Sequence, residues 1–143
     1  MEGEIKPVSA TQSSTHANDE YAFGAYRAID KDLETYSQTQ SQTNPWFKAV
    51  LDREYCITRV VQFIDRNYLY NNTYTCSQNT CSCVGLNCPH WSLSVYREDG
   101  SLPGPDVPSG CKLGDTVKIE GGHDRLWVSE LVIIPTTVGM LMR

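Results

Sequence analysis

The sequence predicts an all-β domain, either a sandwich or a barrel of short strands. Apolar and polar residues alternate in short runs, and turn residues separate these runs. Helical periodicity is confined to residues 22–29, where Gly24 weakens it. The chain has 143 residues, which fits one domain with a sizeable core. No apolar run approaches the roughly 20 residues that a membrane-spanning helix needs.

Five runs of residues are strand candidates. Residues 56–64 are rich in β-branched side chains, which indicates a mostly buried strand. In 91–96 the apolar residues alternate with serines and a tyrosine, as in a half-exposed strand. Pro135 closes the longest run. In chain order the candidates are 46–51, 56–64, 91–96, 117–119 and 126–134.

Two segments are predicted to be irregular. Residues 67–89 include a stretch rich in Asn, Thr, Ser and Gln, which favours a long loop stapled by cysteines. Residues 102–110 contain three prolines, which are incompatible with a regular strand or helix.

The cysteines indicate the compartment. Their even number, with four of them in 76–88, predicts disulfides and an extracellular, oxidising environment. An alternative is a zinc site in which these thiolates act together with His90. Their connectivity stays open at this point. The six residues are Cys56, Cys76, Cys81, Cys83, Cys88 and Cys111.

Charge and motifs narrow the range of partners. A net charge of −5 and a pI of about 5.1 provide no basic surface for nucleic acid or anionic lipid. We therefore expect no nucleic-acid partner, and contact with a membrane only through a parent protein. The sequon Asn71-Asn72-Thr73 predicts N-glycosylation of Asn71 in a surface loop. None of the histidines lies in a catalytic motif, so we expect no enzymatic activity.

Acidic residues at two places in the sequence require an explanation. Glu130 lies inside the apolar run 126–134, and an ionised carboxylate buried there needs a cation or hydrogen bonds. The alternative is an edge-strand glutamate in solvent. Asp30 and Asp32 occupy a polar loop whose closely spaced oxygens suit calcium. The two groups together could supply opposite halves of one cation site.

The order of several short segments resembles the F-type lectin (fucolectin) family and, more broadly, the discoidin (F5/8 type C) domains. The resemblance implies a jelly-roll β-sandwich spanning 1–135, with 136–143 as a tail or linker. It further implies an extracellular carbohydrate-recognition domain whose ligand pocket lies among the loops at one end. The matching segments are 10–14, 25–32, 37–41, 44–47, 57–66 and 126–132.

The resemblance also implies a structural calcium ion. By position, Asp30 and Glu130 match side-chain ligands of that ion. Ser37 matches a serine ligand. Backbone carbonyl ligands are implied at Arg27, Asp32 and Ser129.

In the segments that would form the ligand pocket, this chain departs from the residue pattern that is usual in the family. Gln40 stands near the position of the family's histidine, and Arg66 matches its first arginine. Tyr68 replaces an aspartate and Thr73 a second basic residue, so the family's usual geometry for fucose is lost, and we expect either another glycan or a protein-binding or structural module. Tyr21, Phe23 and Tyr68 are further ligand candidates, because aromatic rings stack on sugars. The alternative is an adhesion or receptor module that binds a protein through the same loops.

Overall fold

The computed structural model describes residues 4–32, 34–64, 70–86, 88–104 and 106–135. The strands are β1 (Ser9–Gln12), β2 (Ser37–Gln38), β3 (Trp46–Phe63), β4 (Asn71–Cys76), β5 (Cys81–Gly85), β6 (Trp91–Tyr96), β7 (Lys112–Gly121), β8 (Trp127–Val128) and β9 (Glu130–Pro135). The helix α1 (Glu20–Phe23) is accompanied by single 3₁₀ turns at His16–Asn18, Ala25–Ala28 and Cys88–His90. Among these elements, no helix is long and apolar enough to cross a bilayer.

The long strand β3 organises an antiparallel β-sandwich. Seven strands form one curled sheet in the order β5-β4-β3-β7-β6, while β1 and β9 also pair with β3. The register of β3 against β7 shifts between Val50 and Tyr55. Before this irregularity β3 pairs with β1, and after it with β4 and β9. Because one strand serves both sets of neighbours, the sheet curls into a nearly closed sandwich.

The core lies between the curled parts of the sheet and is apolar. The strands contribute alternate residues to it, which follows from the two-residue period of a strand. Two short strands, β2 and β8, form a separate pair beside it. The fully buried large side chains of the core include Phe47, Ile57, Val60, Tyr74, Val117, Ile119, Leu126, Leu131 and Ile133.

The predicted strands are confirmed, with one correction. The candidates 46–51 and 56–64 are the two halves of β3, 91–96 is β6, and 117–119 lies within β7. The run 126–134 is not a single strand, because it divides at Ser129 into β8 and β9. The division has a topological cause, since β8 pairs with β2 whereas β9 pairs with β3.

The prediction of a long loop over 67–89 is wrong for much of that segment. Its described residues form the hairpin of β4 and β5. In β4 the alternate residues Asn72, Tyr74 and Cys76 are buried. The Tyr74 hydroxyl donates a hydrogen bond of 2.7 Å to Gln62 Oε1, and burial raises the pKa of Tyr74. The polar composition thus conceals an alternating pattern of burial in which the Tyr74 hydroxyl has a hydrogen-bond partner.

Cysteine pairing agrees with the disulfide prediction. The bonds are Cys56–Cys111, Cys76–Cys81 and Cys83–Cys88. They consume all six thiols, so the zinc alternative loses its thiolate ligands. The first bond ties β3 to the start of β7, the second joins β4 to β5 across their hairpin, and the third joins β5 to the 3₁₀ turn Cys88–His90.

Three further predictions concern the surface. The described residues of 102–110 contain no strand or helix, as expected. Asn71 is the half-buried first residue of β4 rather than a loop residue, because it pairs with Phe63 at the strand end. Its side-chain oxygen accepts a 3.0 Å hydrogen bond from Thr73 Oγ1. Glycosylation there stays a prediction, and the predicted tail 136–143 lies outside the described residues.

Candidate ligand and cation sites

Gln40 lies where three connecting segments meet at one end of the sandwich. Its backbone amide donates to Ser14 Oγ at 3.0 Å. Its side-chain Nε2 donates to the Thr15 carbonyl at 3.2 Å and to Asn18 Oδ1 at 2.9 Å. On the other side, the segment 39–44 is tied to the turn 122–126 by backbone hydrogen bonds. We call the segments 13–18, 38–44 and 122–126 the loop cluster.

A network of hydroxyl and amide groups that the sequence interpretation missed holds the loop cluster together. Gln42 Oε1 accepts hydrogen bonds from the hydroxyls of Ser13 and Ser14. Gln12 Nε2 donates to Thr15 Oγ1 at 3.1 Å and to the Phe23 carbonyl at 2.9 Å. These groups orient the loops through hydrogen bonds between uncharged side chains and to the backbone.

The aromatic candidates differ in exposure. Phe23 is half-buried, because its ring packs edge-on against His16 at a centroid distance of 4.8 Å and contacts Tyr36 at 5.7 Å. Tyr21 is 80% exposed, and the Arg27 guanidinium lies 4.8 Å above its ring. Arg27 also stacks on Tyr26 at 4.7 Å. Tyr21 is thus an exposed ring held in place by a cation.

Arg66 and Tyr68, the remaining ligand candidates, lie outside the described residues. The flanking residues Ile64 and Tyr70 are joined by a backbone hydrogen bond of 3.0 Å. The Ile64 carbonyl also accepts a hydrogen bond of 3.1 Å from Ser129 Oγ. This connection therefore begins and ends beside the β8–β9 junction, where the cation candidates are found.

Glu130 is the central residue of the candidate cation site. It is 2% exposed, and neither carboxylate oxygen has a hydrogen-bond partner among the described residues. The nearest charged partner is Lys31, whose Nζ lies 4.0 Å from Oε2. Burial raises the pKa of Glu130 to about 7, and the charge of Lys31 offsets only part of that effect. The solvent-exposed alternative for Glu130 is therefore wrong.

The acidic loop lies beside Glu130 but is already engaged in its own hydrogen bonds. Asp30 Oδ1 accepts from the Asp32 amide at 3.0 Å, and Oδ2 accepts from Thr35 Oγ1 at 2.7 Å. Arg27 Nη1 lies 3.6 Å from Asp30 Oδ2. Asp32 Oδ1 accepts from the Glu34 amide at 2.9 Å. Asp30 is nevertheless close enough for its charge to raise the pKa of Glu130.

Two serines complete the predicted set. Ser37 is buried and its hydroxyl lies 3.4 Å from the Val128 carbonyl. Ser129 is also buried, and its amide donates to the Phe63 carbonyl at 2.7 Å. The β2–β8 pairing places Ser37 opposite Val128, and therefore two residues from Glu130.

Lys31 and Glu4 belong to this site, although the sequence interpretation assigned them no role. Lys31 forms an ion pair with Glu4, and it has a left-handed backbone with φ of 63°. The Glu4 carboxylate adds a further negative charge that raises the pKa of Glu130. A lysine between two aspartates is usually solvated, so the sequence around Lys31 does not predict its contacts with Glu4 and Glu130. These contacts depend on the fold, which brings residues distant in sequence together.

The residues present supply oxygen donors of the kind that a divalent cation takes, although the described residues contain no group of three His, Cys, Asp or Glu side chains arranged to hold a metal ion. A buried carboxylate without hydrogen bonds is costly unless a positive charge compensates it. Calcium accepts carboxylate, hydroxyl and carbonyl oxygens in a flexible geometry. Glu130, the neighbouring Asp30 and the buried Ser37 supply the side-chain types of such a site. The Lys31 ammonium supplies part of the positive charge that the buried Glu130 carboxylate needs.

Comparison with known proteins identifies the fold. No family model and no curated protein sequence matches the chain. A mutant of the lectin domain of lectinolysin, solved in complex with Lewis b, superposes with a TM-score of 0.63 at 15% identity, covering 96% of this chain and 98% of that one. A fucose-binding module of Streptococcus pneumoniae gives 0.61 at 12% identity, with coverages of 93% and 95%.

A third solved structure is the F-lectin (fucolectin) from the serum of Morone saxatilis, the striped bass. It superposes with a TM-score of 0.59 at 17% identity, covering 92% of this chain and 49% of that one. The coverage means that this chain corresponds to about half of the bass protein's length. The chain thus has the jelly-roll β-sandwich fold of the F-type lectins and of related discoidin-like binding modules.

Proposed function

We propose that this chain is an extracellular carbohydrate-recognition domain that binds a glycan at its loop cluster. The observation that carries the proposal is the position of Gln40. Its side chain is oriented by Thr15 and Asn18, at the end of the sandwich where the aromatic rings of Phe23 and Tyr36 gather. Oriented amides and aromatic faces are the two kinds of group that sugar binding needs.

The comparisons support this proposal through the ligands of proteins with the same fold. The lectinolysin domain was solved with Lewis b, and the pneumococcal module is described as fucose-binding. The three disulfides support an extracellular location. Because Gln40, Tyr68 and Thr73 replace groups expected in a fucose site, we propose a glycan other than terminal fucose. The proposed role is binding without catalysis.

A glycan array in calcium-containing buffer tests the proposal. We expect saturable binding to a restricted set of glycans, and weaker binding by Gln40→Ala. Arg66→Ala should weaken glycan binding by at least about 1 kcal/mol, because a hydrogen bond to a charged group contributes about 1.5–3 kcal/mol. Leu102→Ala is the matched control, because Leu102 is 87% exposed outside the loop cluster. An array that stays blank at high micromolar protein would contradict carbohydrate binding.

We further propose that a structural calcium ion binds at Glu130, Asp30 and Ser37, with the carbonyls of Arg27, Asp32 and Ser129 as additional ligands. The ion would fix the acidic loop against the β8–β9 junction and would not take part in chemistry. Chelator should lower the melting temperature of the wild type by several degrees, because a ligand that binds only the folded state stabilises it. Glu130→Ala should abolish this response. An unchanged melting curve in chelator would refute the site.

One observation favours a second function, binding to a protein at the same end. Tyr21 is 80% exposed and is stacked with Arg27 and Tyr26. Tyrosine and arginine are enriched at energetically important positions of protein interfaces. A blank glycan array together with capture of a cell-surface protein that Tyr21→Ala abolishes would select this adhesion or receptor function.

A further inference from the structure

Outside the two sites described above, a pair of histidines occupies the edge of the loop cluster. The imidazole rings of His90 and His123 lie 5.7 Å apart between centroids, at an interplanar angle of 87°. Both residues are exposed. In the described part of the chain, no hydrogen bond engages a ring nitrogen of either one. Their lone pairs are therefore available to a ligand from solvent.

The backbone, rather than side-chain packing, holds this pair together. The Gly122 amide donates to the His90 carbonyl at 2.9 Å, and the Gly122 carbonyl accepts from the Asn44 amide at 3.1 Å. His90 ends a 3₁₀ turn that begins at Cys88, which is disulfide-bonded to Cys83. The next residue, Trp91, is buried. The two histidine backbones thus have little freedom to separate.

The ring spacing matches that of two imidazoles sharing one metal ion. With a Zn–N bond of about 2.0–2.1 Å, each ring centroid lies roughly 3.2 Å from the metal, so a near-tetrahedral angle separates the centroids by roughly 5.2 Å. The observed 5.7 Å corresponds to a slightly wider angle at the metal, within reach of a small side-chain rotation. Two fixed imidazoles therefore require little reorganisation to bind an ion.

Polar groups border the pair on the side of His90. A surface depression of about 320 Å³ there is lined by His90, Asn44, Ser92 and Glu120, and His123 lies outside it. The Glu120 carboxylate lies 4.0 Å from Lys118 Nζ, and the described residues place no third histidine, cysteine or carboxylate in a metal-binding group with the pair. Water would therefore fill the remaining coordination positions. Imidazole nitrogens favour zinc, copper and nickel over calcium and magnesium, which prefer oxygen.

We propose that His90 and His123 form a binding site for a divalent transition-metal ion, separate from the calcium site at Glu130. The ion would link the 3₁₀ turn before β6 to the turn after β7. It would thereby brace the side of the loop cluster that lies opposite the Thr15–Asn18 contacts of Gln40. The proposal does not depend on whether the loop cluster binds a glycan.

Zinc titration tests this site directly, with calcium at a saturating level so that the acidic site is filled. We expect one saturable Zn²⁺ event by calorimetry and a rise in melting temperature of about 4 °C at tenfold excess over Kd. His90→Gln and His123→Gln should each weaken Zn²⁺ binding at least about tenfold, because each removes a ligand. Nuclear magnetic resonance should show both imidazoles shifting together.

Two control variants make the outcome decisive. His16→Gln removes the histidine that packs on Phe23 and should leave Zn²⁺ binding unchanged. Glu130→Gln should lose the calcium response but keep the zinc response, whereas His90→Gln should do the opposite, which also shows that this variant folds. The proposal is overturned if Zn²⁺ fails to bind up to millimolar concentration, or if its binding survives both histidine substitutions or weakens equally in His16→Gln.

Discussion

At the scale of single residues, Glu130 shows how a strand position can hold a functional group. The apolar run around it predicts burial, and the structure leaves it 2% exposed without a hydrogen-bond partner in the described residues. The run could not predict Lys31 and Glu4 as its charged neighbours, since both reach it across long sequence separations. Its pKa of about 7 arises mainly from burial.

This raised pKa makes stability depend on pH in the calcium-free protein. The folded state holds the Glu130 proton up to a pKa of about 7, whereas the unfolded chain releases it near 4.5. The contribution is fully present below the unfolded value and is lost as pH rises through the folded value. In chelator, the wild type should therefore lose about 3 kcal/mol relative to Glu130→Gln between pH 4.5 and pH 8.

Urea unfolding of both proteins at several pH values measures this difference in stability. Subtracting the stability of the variant from that of the wild type removes the contributions of the other titratable groups, which the two proteins share. Saturating calcium should shrink the difference at neutral pH, because a bound cation favours the ionised carboxylate. Parallel stability curves in chelator for wild type and Glu130→Gln would show that burial does not control this carboxyl group.

At the scale of elements, the alternation of apolar residues predicted β6, the two halves of β3 and a short part of β7, but not the continuity of β3, the rest of β7 or the β4–β5 hairpin. In β4 the inward positions are filled by Asn72, Tyr74 and Cys76, so a partner such as Gln62, rather than apolar character, makes burial possible. The break at Ser129 was equally hidden, because no local signal distinguishes a strand that changes its pairing partner.

The disulfides should stabilise these elements unequally. Cys56–Cys111 closes a loop of 55 residues, whereas Cys76–Cys81 spans 5. Because a longer loop restricts the unfolded chain more, replacing the first pair by alanines should cost about 4 kcal/mol, against about 2 kcal/mol for the second. Denaturant unfolding of the two double variants measures the ratio. Equal losses would mean that unfolded-state entropy does not govern their contributions.

At the scale of the whole molecule, the fold separates a rigid sandwich from the loops that it presents. Composition and alternation predict the all-β class, and the order of short segments predicts the jelly roll. Neither predicts which loops meet, because contacts such as Ser41 with Asp124 join residues that only the sheet pairing brings together. The loop cluster is therefore a property of the fold, and the ligand position follows from it.

Mapping the bound glycan by ¹⁵N nuclear magnetic resonance tests this account most directly. Titration with a glycan selected from the array should shift the amides of 13–18 and 38–44, and it should leave those of Asp52, Arg53 and Tyr55 at the β3 irregularity unchanged. The shifts should saturate, and they should disappear in Gln40→Ala while its folded spectrum persists. Saturating shifts confined to residues outside the loop cluster would contradict the account.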